Sequence, residues 1–398
     1  MGYLDNIKQY LEKRKPEMVA LLEALVNIDS GTGFRAGLNR MADAVVPQLQ
    51  DLGFKVTRLP QEEFGDHLLA RKPGSSNKRL LCIGHMDTVF SEGECERRPF
   101  RIEGDKAYGP GIIDMKGGIV VLLFSLHTLA EVDPELYKAL DLTVLLNSDE
   151  EVASPTSTPF VIQEAQAADT VCVFEPARPH GEVVIKRKGA GRYFLNVYGK
   201  AAHAGAQPEL GVSAIEEMAR KILELHALTD FRKGITVNVG VIKGGSCLNV
   251  IAEHACAGID VRIADQAQAD HIQKAFRSIS KSPQKDIRIE LNGGIEFPPM
   301  LKTNRSLELL GMVQKVGNEL GLDIGELFTG AASDGNRASY YAPTLDGLGP
   351  QGTGSHSPDE VLFLPTLVER TKVFVLFARE WHCSFAPKQD YPEGLTPL

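Results

Sequence analysis

Apolar residues recur at helical spacing over about 4–27 and again over 38–53, and then the period changes. GFKVTRL reads as a strand, RLLCIG as a second, DLTVLLN (141–147) as a third and DTVCVF (169–174) as a fourth. Between the second and third lies KGGIVVLLFSLHTLAEV, a long helix opened by glycines. Strands alternating with helices predict an α/β fold built on a mostly parallel sheet covered by helices. In such sheets sites form at the carboxyl ends of the strands.

The pattern changes near residue 186. RYFLNVYG alternates as a strand and GVSAIEEMARKILELHAL is an amphipathic helix. ITVNVGVIKGG and LNVIAEHACAGIDVRI read as paired strands, ADHIQKAFRSIS as a helix and DIRIEL as a strand. Strand–helix–strand–strand–helix–strand is the order of an α+β open sandwich. Helical signals resume at 304–320, and a last helix is expected over about 363–382. The expectation is an inserted domain, 186–298, within a discontinuous domain made of 1–185 and 299–398.

Composition narrows the class. At 398 residues the chain is too long for one ordinary core, which agrees with two domains. The formal net charge of −9 disfavours nonspecific nucleic-acid binding. The six cysteines are scattered without a CxxC pair, so reduced thiols are expected rather than a thiolate metal site. No run of 18 apolar residues occurs, and no membrane span is expected. The first residues, MGYLDNIKQYLEKRKPEM, lack an apolar signal core, and Asp5 and Asn6 follow where an acylation signal wants Ser or Thr. A cytoplasmic location is the expectation.

Several strand ends of the first domain deliver a carboxylate or an imidazole to one edge. RLLCIG is followed by His85 and Asp87, AYGPGII by Asp114, DLTVLLN by Asp149, Glu150 and Glu151, and DTVCVF by Glu175. Far downstream GTGSHSPDE adds His356 in a glycine-rich loop. Taken singly, Asp114 could cap the next helix, His85 could be a satisfied imidazole and 149–151 a solvated turn. Together, acids at one buried edge repel one another unless cations neutralise them. Imidazole and carboxylate without thiolate suit zinc, cobalt or manganese. His85-x-Asp87 then places a carboxylate to fix the imidazole tautomer. One of the paired glutamates can bind metal, and the other can take a proton from water.

GHMDTV, GPGIIDMKGG, SDEE, FEP, GKAAHAG and GSHS, in this order, resemble the co-catalytic zinc aminoacylase and carboxypeptidase family, the M20 metallopeptidases. Within this family the chain is similar to the glutamate carboxypeptidases of the carboxypeptidase G type. The resemblance covers nearly the whole chain. It implies a zinc-peptidase domain with an inserted lid and dimerisation domain, and hence a homodimer. It implies two divalent ions, zinc first. One falls to His85 and Glu175, the other to Glu151 and His356, with Asp114 bridging. Glu150 is then the base that activates metal-held water, and Asp87 the partner of His85. His203 matches a histidine that reaches the partner subunit's site, and Asn249 and Arg262 match residues that contact the substrate's carboxylate end. The substrate implied is a small peptide or N-acyl amino acid, cut at an amide beside a free carboxylate. Two departures stand out. The acidic motif usually continues with glycine and serine but here reads DEEVASPTS, and the arginine of the glutamate-specific members is missing from LNGGIEFPPM. The run Lys186-Arg187-Lys188 could supply a cation instead, or be a solvated hinge.

Other readings compete. A deacylase of N-acyl amino acids or a dipeptidase would share every motif. A metal-binding module without activity would have no use for Glu150 beside a complete ligand set. A phosphate loop at GPGIIDMKGG fails both the GxGxxG and the GxxxxGK[ST] spacing.

Overall fold

The structure is a computed structural model, and it describes residues 2–387. The outermost parts of the expected first domain, residue 1 and residues 388–398, lie outside the described residues. The chain divides into two compact units. The first holds residues 2–186, 301–328 and 333–387; the second holds Arg187–Met300 and Thr329–Ala332. Residues 329–332 join the second unit because Thr329 bridges to Arg187 and its carbonyl accepts the Lys188 N–H.

The first unit is built on β1 (Lys55–Leu59), β2 (His67–Lys72), β3 (Arg79–His85), β4 (Asp141–Asn147) and β5 (Thr170–Val173). Their order is β1-β2-β4-β3-β5, with the short strand Thr344–Leu345 outside β5. The pairings β4-β3, β3-β5 and β5 with Thr344–Leu345 are parallel, whereas β1 and β2 run antiparallel at one edge. Alternation along β3 shows how the sheet is covered. Leu80 and Cys82 join the core made with helices Tyr3–Val26, Gly117–Val132 and Pro365–Ser384. Leu81 and Ile83 face the opposite layer with Val161, Ala165 and Ala338. Period-two burial on both faces explains why RLLCIGH is apolar almost throughout.

Strand β2 has no counterpart in the sequence-based expectation. HLLARK has only three apolar positions, Leu68, Leu69 and Ala70, and ends in two cations. Lys72 is nonetheless buried, because its ammonium donates to the carbonyls of Tyr137 and Leu140 at the end of helix Pro134–Ala139. The helix Gly117–Val132 belongs to a stretch, Ile112–Val132, long and apolar enough to cross a membrane, and its most apolar 18 residues are 89% buried inside the protein as a core helix. Its opening glycines have a packing reason. A Cβ at Gly118 would lie 2.0 Å from the Phe174 carbonyl oxygen, so only glycine lets the helix start against the end of β5.

The second unit is a four-stranded antiparallel sheet of β6 (Gly189–Tyr198), β7 (Thr236–Gly244), β8 (His254–Ile263) and β9 (Arg288–Phe297), in the order β9-β6-β8-β7. Helices Ala214–His226 and Gln266–Ile279 cover one face, where Met218, Leu225, Ile272 and Phe276 meet Leu195, Val197 and Val261. The other face carries Phe194 and Val241, both more than half exposed, on either side of Gly258. LNVIAEHACAGIDVRI is a strand only from His254, since the preceding residues form a loop in which Val250 bridges to His203.

Candidate metal centre

The parallel register of β3 and β4 sets His85 beside Asn147, so both strands end at one level. Beyond them the chain turns inward rather than into solvent. His85 and Asp87 are 2% and 0% exposed, and Glu150 and Glu175 are also buried. A Cβ at Gly84 would lie 2.7 Å from Met115 Cε. The glycine therefore lets the segment carrying Asp114 close over the end of β3, where the His85 N–H meets Met115 Sδ at 3.1 Å. The Asp114–Met115 peptide is cis.

The side chains converge on Asp114. His85 Nε2 lies 3.2 Å from Asp114 Oδ1 and 3.4 Å from Glu175 Oε1. His356 Nε2 lies 3.3 Å from Asp114 Oδ2 and 3.1 Å from Glu151 Oε2. The carboxylate thus offers each oxygen to a different imidazole, and each imidazole has a glutamate beside it. Ligand atoms of His85, Asp114 and Glu151 all fall within 4.8 Å of one another. His356 itself sits at φ +64°, in the left-handed region of the backbone.

Charge is poorly balanced here. Burial raises Glu150 well above the usual carboxylate range, and the nearby Glu175, Asp334 and Glu151 charges push the same way. Burial likewise raises Glu151 to about 7 and also raises Glu175. Hydrogen bonds to Asp114 and Glu151 drive His356 up to about 11. Burial alone would lower His85, but its hydrogen bonds to Asp114, Asp87 and Glu175 carry it well above the ordinary imidazole range. Burial disfavours a charged Asp114, yet the two imidazoles hold it below the usual range. Glu151 Oε1 is buried without a hydrogen-bond partner. Four acids crowded around two imidazoles, with an orphaned buried oxygen, are what divalent cations would neutralise. Nitrogen and oxygen donors without sulfur suit zinc, cobalt or manganese, so the residues fit a pair of such ions.

Asp87 does more than face His85. Its Oδ1 is 3.4 Å from His85 Nδ1, while the hydrogen-bond distance of 3.0 Å is to its own main-chain oxygen. The carboxylate also accepts the backbone N–H groups of Glu150 and Glu151, both at 3.1 Å, and Thr32 Oγ1 at 2.8 Å. Asp149, the remaining acid of the run, is a staple. It accepts the N–H and hydroxyl groups of both Thr156 and Ser157, which closes the loop after Glu151. His67 of β2 supports the same loop. Its Nδ1 accepts the Ser148 N–H at 3.2 Å, so Nε2 carries the proton toward Thr156 Oγ1 at 3.0 Å. Asp334 accepts from Asn147 Nδ2 and Ser154 Oγ. Thr32, His67, Asp334 and Glu360 carry no local sequence signal, because they hold backbone and loops that are distant in the chain. Only Glu360, four residues after His356, stood within a quoted motif.

A cavity of about 520 Å³ adjoins Glu151, lined among others by Thr32, Phe34, Val89, Phe90 and Val152. The remaining candidates lie in the second unit. His203 Nδ1 accepts the N–H groups of Gly205 and Ala206 at 3.1 and 3.0 Å. Asn249 is exposed, and its main-chain oxygen accepts the Ala204 N–H. Arg262 donates twice to Asp260, at 3.0 Å each, and once to the Gly330 carbonyl at 3.4 Å.

Comparison with known proteins agrees with this architecture. Residues 185–288 match the family model of the peptidase dimerisation domain of M20 enzymes. The chain is 34% identical over 363 residues to carboxypeptidase G2 of Pseudomonas sp. (strain RS-16), covering 89% of this chain and 86% of that protein. It is 27% identical to the succinyl-diaminopimelate desuccinylase of Gluconobacter oxydans, over 90% and 96% of the two chains. Among solved structures, an M20 family metallo-carboxypeptidase from Sulfolobus solfataricus shares the fold with a TM-score of 0.75 at 16% identity, over 92% of this chain and 99% of the other. By its likeness to carboxypeptidase G2 across most of both chains, and by its dimerisation domain, the protein belongs to the M20 metallopeptidase family.

Proposed function

We propose that the protein is a di-metal hydrolase, zinc-dependent in the first instance, that cleaves an amide bond beside a free carboxylate. The observation that carries this reading is the two-sided use of Asp114, one oxygen toward His85 and the other toward His356. In this reading His85 and Glu175 would hold one ion and Glu151 and His356 the other, with Asp114 available to both. Bound there, the ions supply polarisation of the scissile carbonyl and a lowered pKa for water.

The chain's own groups do the rest. Glu150 takes the proton of the attacking water and returns it to the leaving amine. Its burial raises its proton affinity, which suits both halves of that transfer. Asp87 keeps His85 oriented and pins the backbone of Glu150 and Glu151. The cavity beside Glu151, with Phe34 and Phe90 in its wall, would take an apolar part of the substrate. Arg262 would bind the carboxylate by exchanging Asp260 for it, since a guanidinium grips either through paired hydrogen bonds. Asn249 is assigned to the same end of the substrate, and His203 to the carbonyl oxygen in the partner subunit's site.

The homodimer reading is supported by the dimerisation-domain match and by β7, a sheet edge with Val241 and Ile242 more than half exposed. Residues 186–298 serve in this reading as the inserted lid and dimerisation domain. All six cysteines are free, which supports a reducing, cytoplasmic setting.

The 34% relative is a carboxypeptidase, and this favours release of a C-terminal residue, glutamate among the candidates. The matches to a desuccinylase and to the acetylornithine deacetylase of Erwinia tasmaniensis (29% identical) keep a deacylase as the second reading, with a dipeptidase beside it. A hydrolysis screen of zinc-loaded protein against N-acyl amino acids, folate-like glutamyl amides and dipeptides separates these. Each substrate should be paired with its α-amidated form. Equal cleavage of free acid and amide would remove the whole class.

A further inference from the structure

Glu360 stands outside the ligand set, yet it is only 1% exposed and its carboxylate is committed to one segment. Oε1 accepts the backbone N–H groups of Ile113 at 2.8 Å and Asp114 at 3.1 Å, and Oε2 accepts that of Gly111 at 2.9 Å. One side chain therefore satisfies three donors of the turn that presents Asp114. Glu360 lies on the hairpin that carries His356. Gly352–Thr353 pairs with Val361–Leu362, and Val361–Phe363 pairs in turn with Lys106–Tyr108, just before the Asp114 segment.

Little else in this region can adjust. Gly354 has φ +79°, and a Cβ there would lie 2.7 Å from the Asp359 carbonyl oxygen. Gly111 has φ +70°, and a Cβ there would lie 2.4 Å from Thr88 Cγ2. Between the Asp114 backbone and His356 the link is one side chain and four residues of tight hairpin. A buried carboxylate beside the acids of the centre is costly unless its hydrogen bonds require a charged double acceptor. Glutamine would keep one acceptor oxygen and turn an NH2 group against an N–H.

We propose that Glu360 is a positioning residue, which locks the Asp114 segment to the His356 hairpin and so presets the spacing of the shared ligand. The inference rests on the reading of Asp114 as the bridge between two ions.

The test uses the metal-free full-length chain titrated with Zn2+ against a chromophoric chelator, and with Co2+ by its visible absorption. Wild type is compared with Glu360→Gln and Glu360→Asp. Wild type should take up two ions. In both variants the weaker ion's dissociation constant should rise about tenfold or more, with a changed Co2+ spectrum, since about 1.4 kcal/mol is tenfold. Aspartate keeps the charge but falls one methylene short of the span, so it should not rescue. A residue of merely structural importance would lower the melting temperature and leave the affinity of the folded molecules unchanged. Wild-type affinity for both ions in Glu360→Gln, or full rescue by Glu360→Asp, would overturn the proposal while leaving the bridge intact. Fewer than two ions in wild type would instead sink the bridge itself, and the proposal with it.

Discussion

Replacing Asp87 by Asn separates two jobs that one carboxylate holds. Oδ2 accepts Thr32 Oγ1 and the Glu151 N–H, whereas Oδ1 accepts the Glu150 N–H and faces His85 Nδ1. An amide has one acceptor oxygen. Left in the Oδ2 place, it keeps two donors and sets its NH2 against the Glu150 N–H. One hydrogen bond to a charged acceptor is lost, about 1.5–3 kcal/mol, and the buried N–H left unpaired costs about 1–3 kcal/mol. Relief of a buried charge offsets part of this. The net loss of stability should be about 2–3 kcal/mol, or roughly 2–4 °C in melting temperature for a chain of this size. His85 keeps an acceptor, because the main-chain oxygen of Asp87 stays 3.0 Å from Nδ1. Asp87→Asn should therefore hold nearly its full metal while turnover falls by about 10² as Glu150 shifts. Metal analysis, steady-state kinetics and thermal melts on one preparation decide the matter. Loss of metal in step with activity would show that the carboxylate acts chiefly through His85, and wild-type turnover would refute the reasoning outright.

Glu150→Gln should retain fold and metal and lose about 10²–10⁴ in turnover, since the amide cannot accept the proton; near-normal turnover removes Glu150 from the chemistry. Ala153 sits at φ +74° in the loop after Glu151, where an L side chain costs about 1–2 kcal/mol. Ala153→Gly should stabilise by about 0.5–1 kcal/mol after the entropy cost of glycine, or about 1 °C, and a lower melting temperature would refute this. Mixing His203→Ala chains with Glu150→Gln chains should restore activity if subunits exchange, because one site per mixed dimer regains both groups. Demonstrated exchange without activity would exclude the shared-site proposal.

What the sequence makes legible follows from where the residues stand. His85, Asp114, Glu150, Glu151 and Glu175 announce themselves because buried strands and a glycine-rich turn run out into them. His356 did so through its glycine-rich loop. Strand β2 was invisible because Lys72 is polar in sequence and buried in fact, held by two carbonyls. The helix at Gln266 begins three residues earlier than its apolar period, since Asp265 caps it by accepting the Gln268 N–H. Asp149 reads as part of an acidic turn and acts as a loop staple. Glu360 serves amide groups up to 249 positions away in the chain, and no local pattern carries such a link.

The central claim is that Asp114 is shared by two ions, and metal stoichiometry tests it most directly. Metal-free wild type and Asp114→Ala should be titrated with Zn2+ and their content measured after removal of free ion. Wild type should hold two ions per chain and Asp114→Ala should lose at least one, because the remaining acids are left without their common partner. Two tightly held ions in Asp114→Ala, or only one in wild type, would contradict it.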